Sequence, residues 1–486
     1  MTVLAEHIET LKHASPLRLW GRVVEVRGLV VRVADLPVPV GALVRIAPKS
    51  RNVEIDTTSP VEPGHGRADD RGILAEVVGF DHDQTIVMPM GTTEGISRGD
   101  RVLTEHFGQQ VRVGESLLGR VLDAVGHPID GRGPLEGGVL RSLHPTPIDP
   151  LDRPLIDQPL ATGVRAIDAL VSIGRGQRLG VFAAPGVGKS VLLGIMARHT
   201  AADVTVMALV GERGREVIDF LKNHLGEEGL ARSIVVCATS DEPALMRLRA
   251  ALTATTIAEH FRDQGRDVLL IMDSLTRYCH AQRQIGLAAG EPPSTKGYPP
   301  SVFASVPKLL ERCGRTKRGS ITGLYAVLVE GDDLDDPVAD AARGVLDGHV
   351  VLSRELARRG HWPAIDLLES VSRLVDDVTE TDQIAVRQQV LKLVHAYRSV
   401  EDLLNIGAYT TGSNEEFDLA IACKSHIDRL VQQGRREAIG TASFERTRMQ
   451  LMALWQSIQT DSERIGTRTG RVPQGPAAQP GVMAGR

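Results

Sequence analysis

The run Ala183-Ala184-Pro185-Gly186-Val187-Gly188-Lys189-Ser190 ends in a cation and a hydroxyl set behind two glycines. Those residue types at that spacing suit a phosphate. Successive backbone N–H groups can turn inward onto the anion, and a helix beginning there adds the positive end of its dipole. The lysine reaches the β- and γ-phosphates, and the serine hydroxyl ligates Mg²⁺. The general pattern G-x-x-x-x-G-K-[ST] asks for glycine where this chain has Ala183. Alanine is acceptable there if its φ is negative, because the position precedes the amides that face phosphate. Pro185 has no N–H to give. It must therefore sit outside the phosphate cradle, and the candidate nucleotide-binding residues of the loop are Pro185 at its edge with Gly186, Val187, Gly188, Lys189, Ser190 and Val191. A glycine-rich turn that merely tolerates a lysine is the plainer alternative.

Two carboxylates stand where such a loop needs them. DVLLIMD ends an apolar run on Asp273, the way a Walker B acid is presented to hold Mg²⁺ through water. The metal set is therefore Ser190 and Asp273. VTVMALVGER sets Glu212 just past another apolar run, at a sheet edge that faces a crevice. Each has a bland reading: an ordinary strand-end aspartate, and an acid placed for the dipole of the next helix. Three marks at three strand ends, in this order, favour a nucleotide site over the three bland readings together.

The elements that must carry these residues follow from the pattern. Apolar runs at 179–184, 204–210, 233–239, 267–273, 321–329 and 348–353 are the length of buried strands, and helical periodicity separates most of them, as over 242–264. That alternation predicts a mostly parallel sheet with helices on both faces. Residues 19–95 read differently, as short β-branched strands broken by Gly and Pro, which predicts a small barrel or sandwich. Segments 91–102 and 117–135 read as turn-rich connections. From about 380 to 465 the chain is helical and charged, and the Gly/Pro/Ala-rich end reads as disordered. Leu4, Ile8 and Leu11 form a narrow apolar stripe that Pro16 stops, the mark of one short helix.

Bulk properties narrow the function. The chain has 486 residues, 42% hydrophobic, with a formal net charge of −5. That balance gives no electrostatic case for gripping nucleic acid, and aromatics at 3% weaken base stacking. The four cysteines are far apart, so no zinc knuckle or disulfide framework is expected. No signal peptide or membrane span is expected.

The stretches VFAAPGVGKSVLLGIMAR, VGERGREV, DVLLIMDSLTRY, QIGLAAGEPPSTKGYPPSVFASVPKLLER and GSITGLYAVLVEGDDLDDPVAD resemble the bacterial type III secretion ATPases, relatives of the rotary ATP synthase α and β subunits. The resemblance covers about residues 15 to 440 and is strongest to the flagellar export ATPase. The virulence injectisome ATPase is the alternative, and a proton-coupled rotary subunit a more distant one. A hexameric nucleic-acid motor and a non-catalytic nucleotide-binding subunit are further competitors.

The resemblance implies an α/β fold: an N-terminal β-barrel, a central RecA-like P-loop domain and a C-terminal helical domain. It divides the chain into a partner-binding helix (1–18), barrel (19–95), ATPase domain (96–375), helical domain (376–465) and disordered tail (466–486). It implies Glu212 as the carboxylate polarising the attacking water, Arg213 as a γ-phosphate-region arginine and Arg373 as an arginine finger reaching across a subunit interface. These join Lys189 as catalytic residues. Trp362 stands where the family usually has a tyrosine against the adenine; a core aromatic beside Pro363 is the alternative. Alanine at 183 looks usual for the secretion branch, and the acidic DELSEED-type segment of the β subunit is absent. One chain carrying both Glu212 and Arg373 can build equivalent sites by itself, which implies a homohexamer. Implied partners are a stator-like regulatory protein at the N-terminal helix, a central stalk protein, and export substrates with their chaperones. Implied too is peripheral association with the inner-membrane export gate from the cytoplasm. For the N-terminal helix, packing on its own barrel stays equally open.

Overall fold

The computed structural model describes residues 19–49, 72–106, 108–329, 336–434, 437 and 444–469. The expected N-terminal helix, with Leu4, Ile8 and Leu11, lies outside them. Two compact units divide the chain. The first takes Met1–Ile156, Arg175–Arg198 and Ala202–His349, the second Asp157–Gly174, His199–Ala201 and Val350–Arg486.

The first unit opens with a closed six-stranded barrel: β1 (Trp20–Arg27), β2 (Val30–Ala34), β3 (Leu43–Ala47), β4 (Ile73–Asp81), β5 (Gln84–Pro89) and β6 (Arg101–His106). Its order is β1-β2-β5-β4-β3-β6, and β6 pairs back onto β1. Alternate valines and isoleucines fill the interior, among them Val31, Val33, Val44, Ile46 and Val87. The barrel expected over 19–95 therefore runs further. Its closing strand lies inside the segment 91–102 and beyond, because Val102 and Leu103 supply the pairing that seals the edge.

Past a two-stranded pair, β7 (Gln110–Val113) with β9 (Val139–Ser142), the nucleotide-type sheet begins. Its parallel strands are β8 (Val121–Leu122), β10 (Arg178–Ala183), β11 (Val204–Glu212), β12 (Ser233–Thr239), β13 (Asp267–Asp273) and β15 (Ser320–Leu328). They lie in the order β10-β15-β13-β11-β12-β8. The short β14 (Gly314–Arg315) runs antiparallel to the start of β15. The expected strands appear within a residue or two. β8 is an addition inside the segment read as a turn-rich connection: two residues are too few to show periodicity. A 20-residue helix, Ala244–Asp263, lies across β11, β12 and β13. With the helix Leu275–Ala288 it also receives the barrel, through Leu43, Ile86 and Met88 against Leu245, Ala281 and Ile285. Cys237, Cys279 and Cys313 are buried within this unit, Cys313 Sγ lying 3.0 Å from the Tyr325 hydroxyl.

The chain passes from the first unit into the second along β16 (Gly348–Leu352), and the second also holds β17 (Ile365–Ser372), beside β16, and the helices Thr381–Asn405, Glu415–Val431 and Phe444–Thr469. β17 had no counterpart in the sequence reading. The last helix reaches Thr469, past the expected boundary at 465, and the remaining tail lies outside the described residues. Cys423 is buried here. Among the described residues no helix is long and apolar enough to cross a membrane.

Candidate functional site

β10 is buried along almost its whole length, because Leu179, Val181 and Phe182 point into the two helix-covered faces. Ala183 ends it, 1% exposed, and is not among the residues with positive φ. The missing glycine therefore asks nothing of the backbone. Gly186 and Gly188 do need theirs, at φ +82° and +91°. A Cβ on Gly186 would meet nothing within 4 Å, so conformation alone requires glycine there. Alternating handedness in this turn makes a concave nest of amides. The helix Lys189–His199 starts directly behind it, with no acidic residue in its first turn.

β13 lies two strands from β10, with β15 between them. At about 4.8 Å per strand that is a gap of roughly 10 Å. Lys189 crosses it, and its ammonium contacts the carboxylate of Asp273, which is 3% exposed. The peptide after Asp273 is cis, and Ser274 caps the helix Leu275–Ala288 by accepting from the Arg277 N–H at 3.3 Å. β11 brings Glu212 alongside. Lys189 Nζ is 3.7 Å from Glu212 Oε1, and Arg277 Nε 3.3 Å from the same oxygen. Burial first, then the negative charge of Asp273, raises the Glu212 carboxyl to about 7, while Lys189 and Arg277 pull the other way.

The strand does not reach Glu212 regularly. Its pairing with β12 slips between Val210 and Glu212, and Gly211 takes φ +70°. A Cβ on Gly211 would stand 2.9 Å from Arg277 Cδ and 3.4 Å from Arg247 Cδ. The bulge thus turns the glutamate into the crevice and lets two arginine stems close on the backbone beside it. Arg247 Nη2 is held by Gln284 Oε1 at 2.6 Å.

Lys189, Glu212 and Asp273 thus come together as the sequence predicts, with Ser190 and Val191 in the first turn of the same helix. Arg213 does not join them. It is the residue before the helix Gly214–Asp219, its side chain is 76% exposed, and it bonds to Glu216 at 3.2 Å. Trp362 and Arg373 belong to the second unit. Trp362 precedes the cis-proline Pro363 and is 41% exposed, and its carbonyl accepts from the Gln433 N–H at 2.8 Å. Arg373 follows β17, exposed, with no carboxylate partner among the described residues. Sequence reasoning gave Arg277 no role, and missed Gly211 and Arg247. A glycine immediately before a strand-end glutamate was the available signal for the first. Nothing local marks Arg247.

Among the described residues no group of three His, Cys, Asp or Glu side chains could hold a metal alone. Ser190, in the first turn of the helix Lys189–His199, and Asp273, at the end of β13, offer a hydroxyl and a carboxylate, the hard oxygen donors that Mg²⁺ takes beside phosphate.

Comparison with known proteins agrees with this geometry. Residues 163–372 match the ATP synthase alpha/beta family, nucleotide-binding domain, and residues 23–104 the beta-barrel domain of that family. Residues 379–453 match the T3SS EscN ATPase C-terminal domain. The flagellum-specific ATP synthase of Treponema pallidum is 47% identical over 441 residues, covering 90% of this chain and 94% of the relative. The type 3 secretion system ATPase of Xanthomonas euvesicatoria is 46% identical, over 83% of this chain and 87% of the relative. The assembled ATPase EscN of the enteropathogenic E. coli type III secretion system superposes with a TM-score of 0.79 at 42% identity, over 89% of this chain and 99% of that one. Alike in barrel, nucleotide-binding sheet and C-terminal helices, the chain belongs to the family of flagellum-specific and type III secretion ATPases, within the wider ATP synthase alpha/beta family.

Proposed function

We propose that this protein hydrolyses ATP to energise type III protein export, in the flagellar system. The convergence of Lys189, Glu212 and Asp273 at three strand ends carries the reading. The flagellar assignment is supported by the flagellum-specific relatives in Treponema pallidum and Bacillus subtilis, at 47% and 45% identity over 90% and 88% of the chain. The likeness to EscN and to the Xanthomonas ATPase supports the injectisome as the alternative.

The chemistry is in-line attack of water on the γ-phosphate. The amides of residues 186–190 cradle the phosphates, and Lys189 leaves Asp273 for the β- and γ-oxygens. Ser190 and Asp273 are the residues that would hold Mg²⁺, which when bound neutralises charge on the phosphate oxygens. Glu212, ionised, accepts a proton of the attacking water and orients it. Arg277 stays against Glu212 and keeps it ionised as Lys189 withdraws. Arg213 turns from Glu216 toward the γ-phosphate region on substrate binding. Arg373 reaches a neighbouring protomer's site in a homohexamer, and Trp362 stacks on the adenine. Fingers of this kind are worth about 10³–10⁵ in rate elsewhere.

EscN has been solved both assembled and in complex with its central stalk EscO. By likeness we assign this chain a ring and a stalk partner, with export substrates, chaperones and a stator-like regulator at residues 1–18. It would work in the cytoplasm against the inner-membrane export gate. The test is Glu212→Gln. Turnover should fall by about 10²–10⁴ while ATP binding is retained. Unchanged turnover would make this a non-catalytic nucleotide-binding subunit. Activity should vanish on chelation and return with Mg²⁺, and deletion of the gene should abolish motility; a motile strain that loses effector secretion would move the assignment to an injectisome.

A further inference from the structure

The side chain of Arg277 is aimed at Glu212 without being bonded to it. Arg277 Nε lies 3.3 Å from Glu212 Oε1, yet that nitrogen is buried and makes no hydrogen bond among the described residues. The pairing is a charge attraction, with no fork of hydrogen bonds to fix the guanidinium. The Arg277 backbone is anchored, since Ser274 Oγ accepts its N–H, but the long side chain beyond it has several free torsions. Something else must hold that side chain in place.

Arg247 stands beside it. It lies in the first turn of the helix Ala244–Asp263. Its stem and that of Arg277 meet the same backbone at Gly211, where a Cβ would stand 3.2 Å from Arg277 Cβ and 3.4 Å from Arg247 Cδ. Among the described residues Arg247 pairs with no carboxylate and its buried Nε makes no hydrogen bond; what holds it is Gln284 Oε1, 2.6 Å from Nη2. Gln284 lies two turns past Arg277 on the helix Leu275–Ala288, on the same face. One helix thus carries both the arginine beside Glu212 and the amide that pins its neighbour. Burial first, then the charge of Arg277, holds the Arg247 guanidinium below its usual range. The Glu212 carboxyl answers to Asp273, Lys189 and Arg277, whereas Arg247 answers to Arg277, so Arg277 stands between the two.

We infer that Arg247 is a positioning residue for the hydrolysis: pinned by Gln284, it closes the far flank of Arg277 and leaves that guanidinium the side that faces Glu212. Gly211 is the floor of this bracket, because only a hydrogen there lets both stems lie close. The unpaired charge of Arg247 repels Arg277 from one side while Glu212 attracts it from the other. One position is thereby favoured out of the several that a free arginine samples, and less ordering is left for the moment of reaction. Arg247 acts through Arg277 and not on the substrate. The inference deepens the reading of Glu212 as the residue that orients the attacking water, and rests on it.

The experiment is steady-state ATP hydrolysis by the full chain with Mg²⁺, kcat and KM read separately. Arg247→Met keeps the stem and removes the charge; kcat should fall by about tenfold while KM changes by less than about twofold. Arg247→Lys restores the charge and should recover at least about half of the wild-type kcat. Gln284→Leu, at an exposed position, removes the pin alone and should lower kcat by about threefold with the melting temperature unchanged. That variant carries the test if Arg247→Met does not fold. In an Arg277→Lys background, Arg247→Met should cost less than about twofold more, because its effect passes through Arg277. A raised KM with kcat intact would place Arg247 on ATP itself and overturn the proposal. A lysine variant no better than methionine, full additivity with Arg277→Lys, or wild-type kcat in Gln284→Leu overturns it too. The reading beneath it is checked apart. Normal turnover in Glu212→Gln would defeat that reading, whereas an inactive Glu212→Gln beside an unaffected Arg247→Met defeats the positioning role alone.

Discussion

Glu212 is the residue whose environment makes the sharpest forecast. Its carboxyl is raised to about 7 by burial and by Asp273. In the role proposed for it Glu212 must be ionised, so kcat/KM for ATP, which reports the free enzyme, should fall as pH drops through about 7. An ordinary glutamate would hold activity down to about 4.3. A profile flat from pH 8 to 5 would remove Glu212 from the role given it here. Gly211 makes a second forecast. Alanine there must adopt φ near +70° and put its methyl 2.9 Å from Arg277 Cδ. Gly211→Ala should cost about 1–3 kcal/mol in denaturant unfolding and lower kcat more than it raises KM, since the displaced group is Glu212. Lys189, Glu212 and Asp273 were legible because each ends or follows an apolar run, and the sheet delivers such ends to one edge. The pairing of Arg277 with Glu212 was not, because it depends on how a helix lies against a neighbouring strand. Arg213 was legible as a motif residue, yet its side chain lies against Glu216.

At the scale of elements, the helix Ala244–Asp263 is buried along much of its length and touches both the barrel and the catalytic sheet. Arg249 on it is 3% exposed and attracts the Glu76 carboxyl of β4, which burial raises to about 7 against the pull of Arg249 and Gln109. The folded state therefore holds a proton on Glu76 between about pH 4.5 and 7 that the unfolded chain has released. Stability from this group is lost as pH rises through that window. Glu76→Gln should flatten that part of the melting-temperature profile. Arg249→Met, which keeps volume and removes the attraction, should lower the melting temperature more at pH 8 than at pH 6; the reverse order would show that Arg249 does not act on an ionised Glu76. None of this was legible, because a half-buried glutamate and a buried arginine are marked in sequence only as charged residues. The strands were legible where apolar runs are long. β8 at two residues and β17, whose polar positions mask its alternation, were not.

At the scale of the whole molecule, the proposed ring would set Arg373 of one protomer in the site of the next, and that proposal can be tested without a structure of the assembly. Mixing Glu212→Gln protomers with Arg373→Ala protomers should restore activity neither has alone. About a quarter of interfaces in a random head-to-tail ring would pair an intact glutamate with an intact finger. No recovery would mean that Arg373 does not act across an interface. The division into barrel, sheet and helices was legible from texture alone; the barrel's closing strand was not, since its edge pairing joins segments far apart in sequence. All four cysteines lie buried, and burial pushes the thiols of Cys237, Cys313 and Cys423 up to about 12, 11 and 11, with Cys279 raised further still. Maleimides need an accessible thiolate, so the native chain should be close to silent toward them and react at all four positions once denatured. A single cysteine placed at the exposed Met449 would then carry a dye without any prior removal of native thiols, and the moving parts of this ATPase could be watched in an otherwise wild-type sequence.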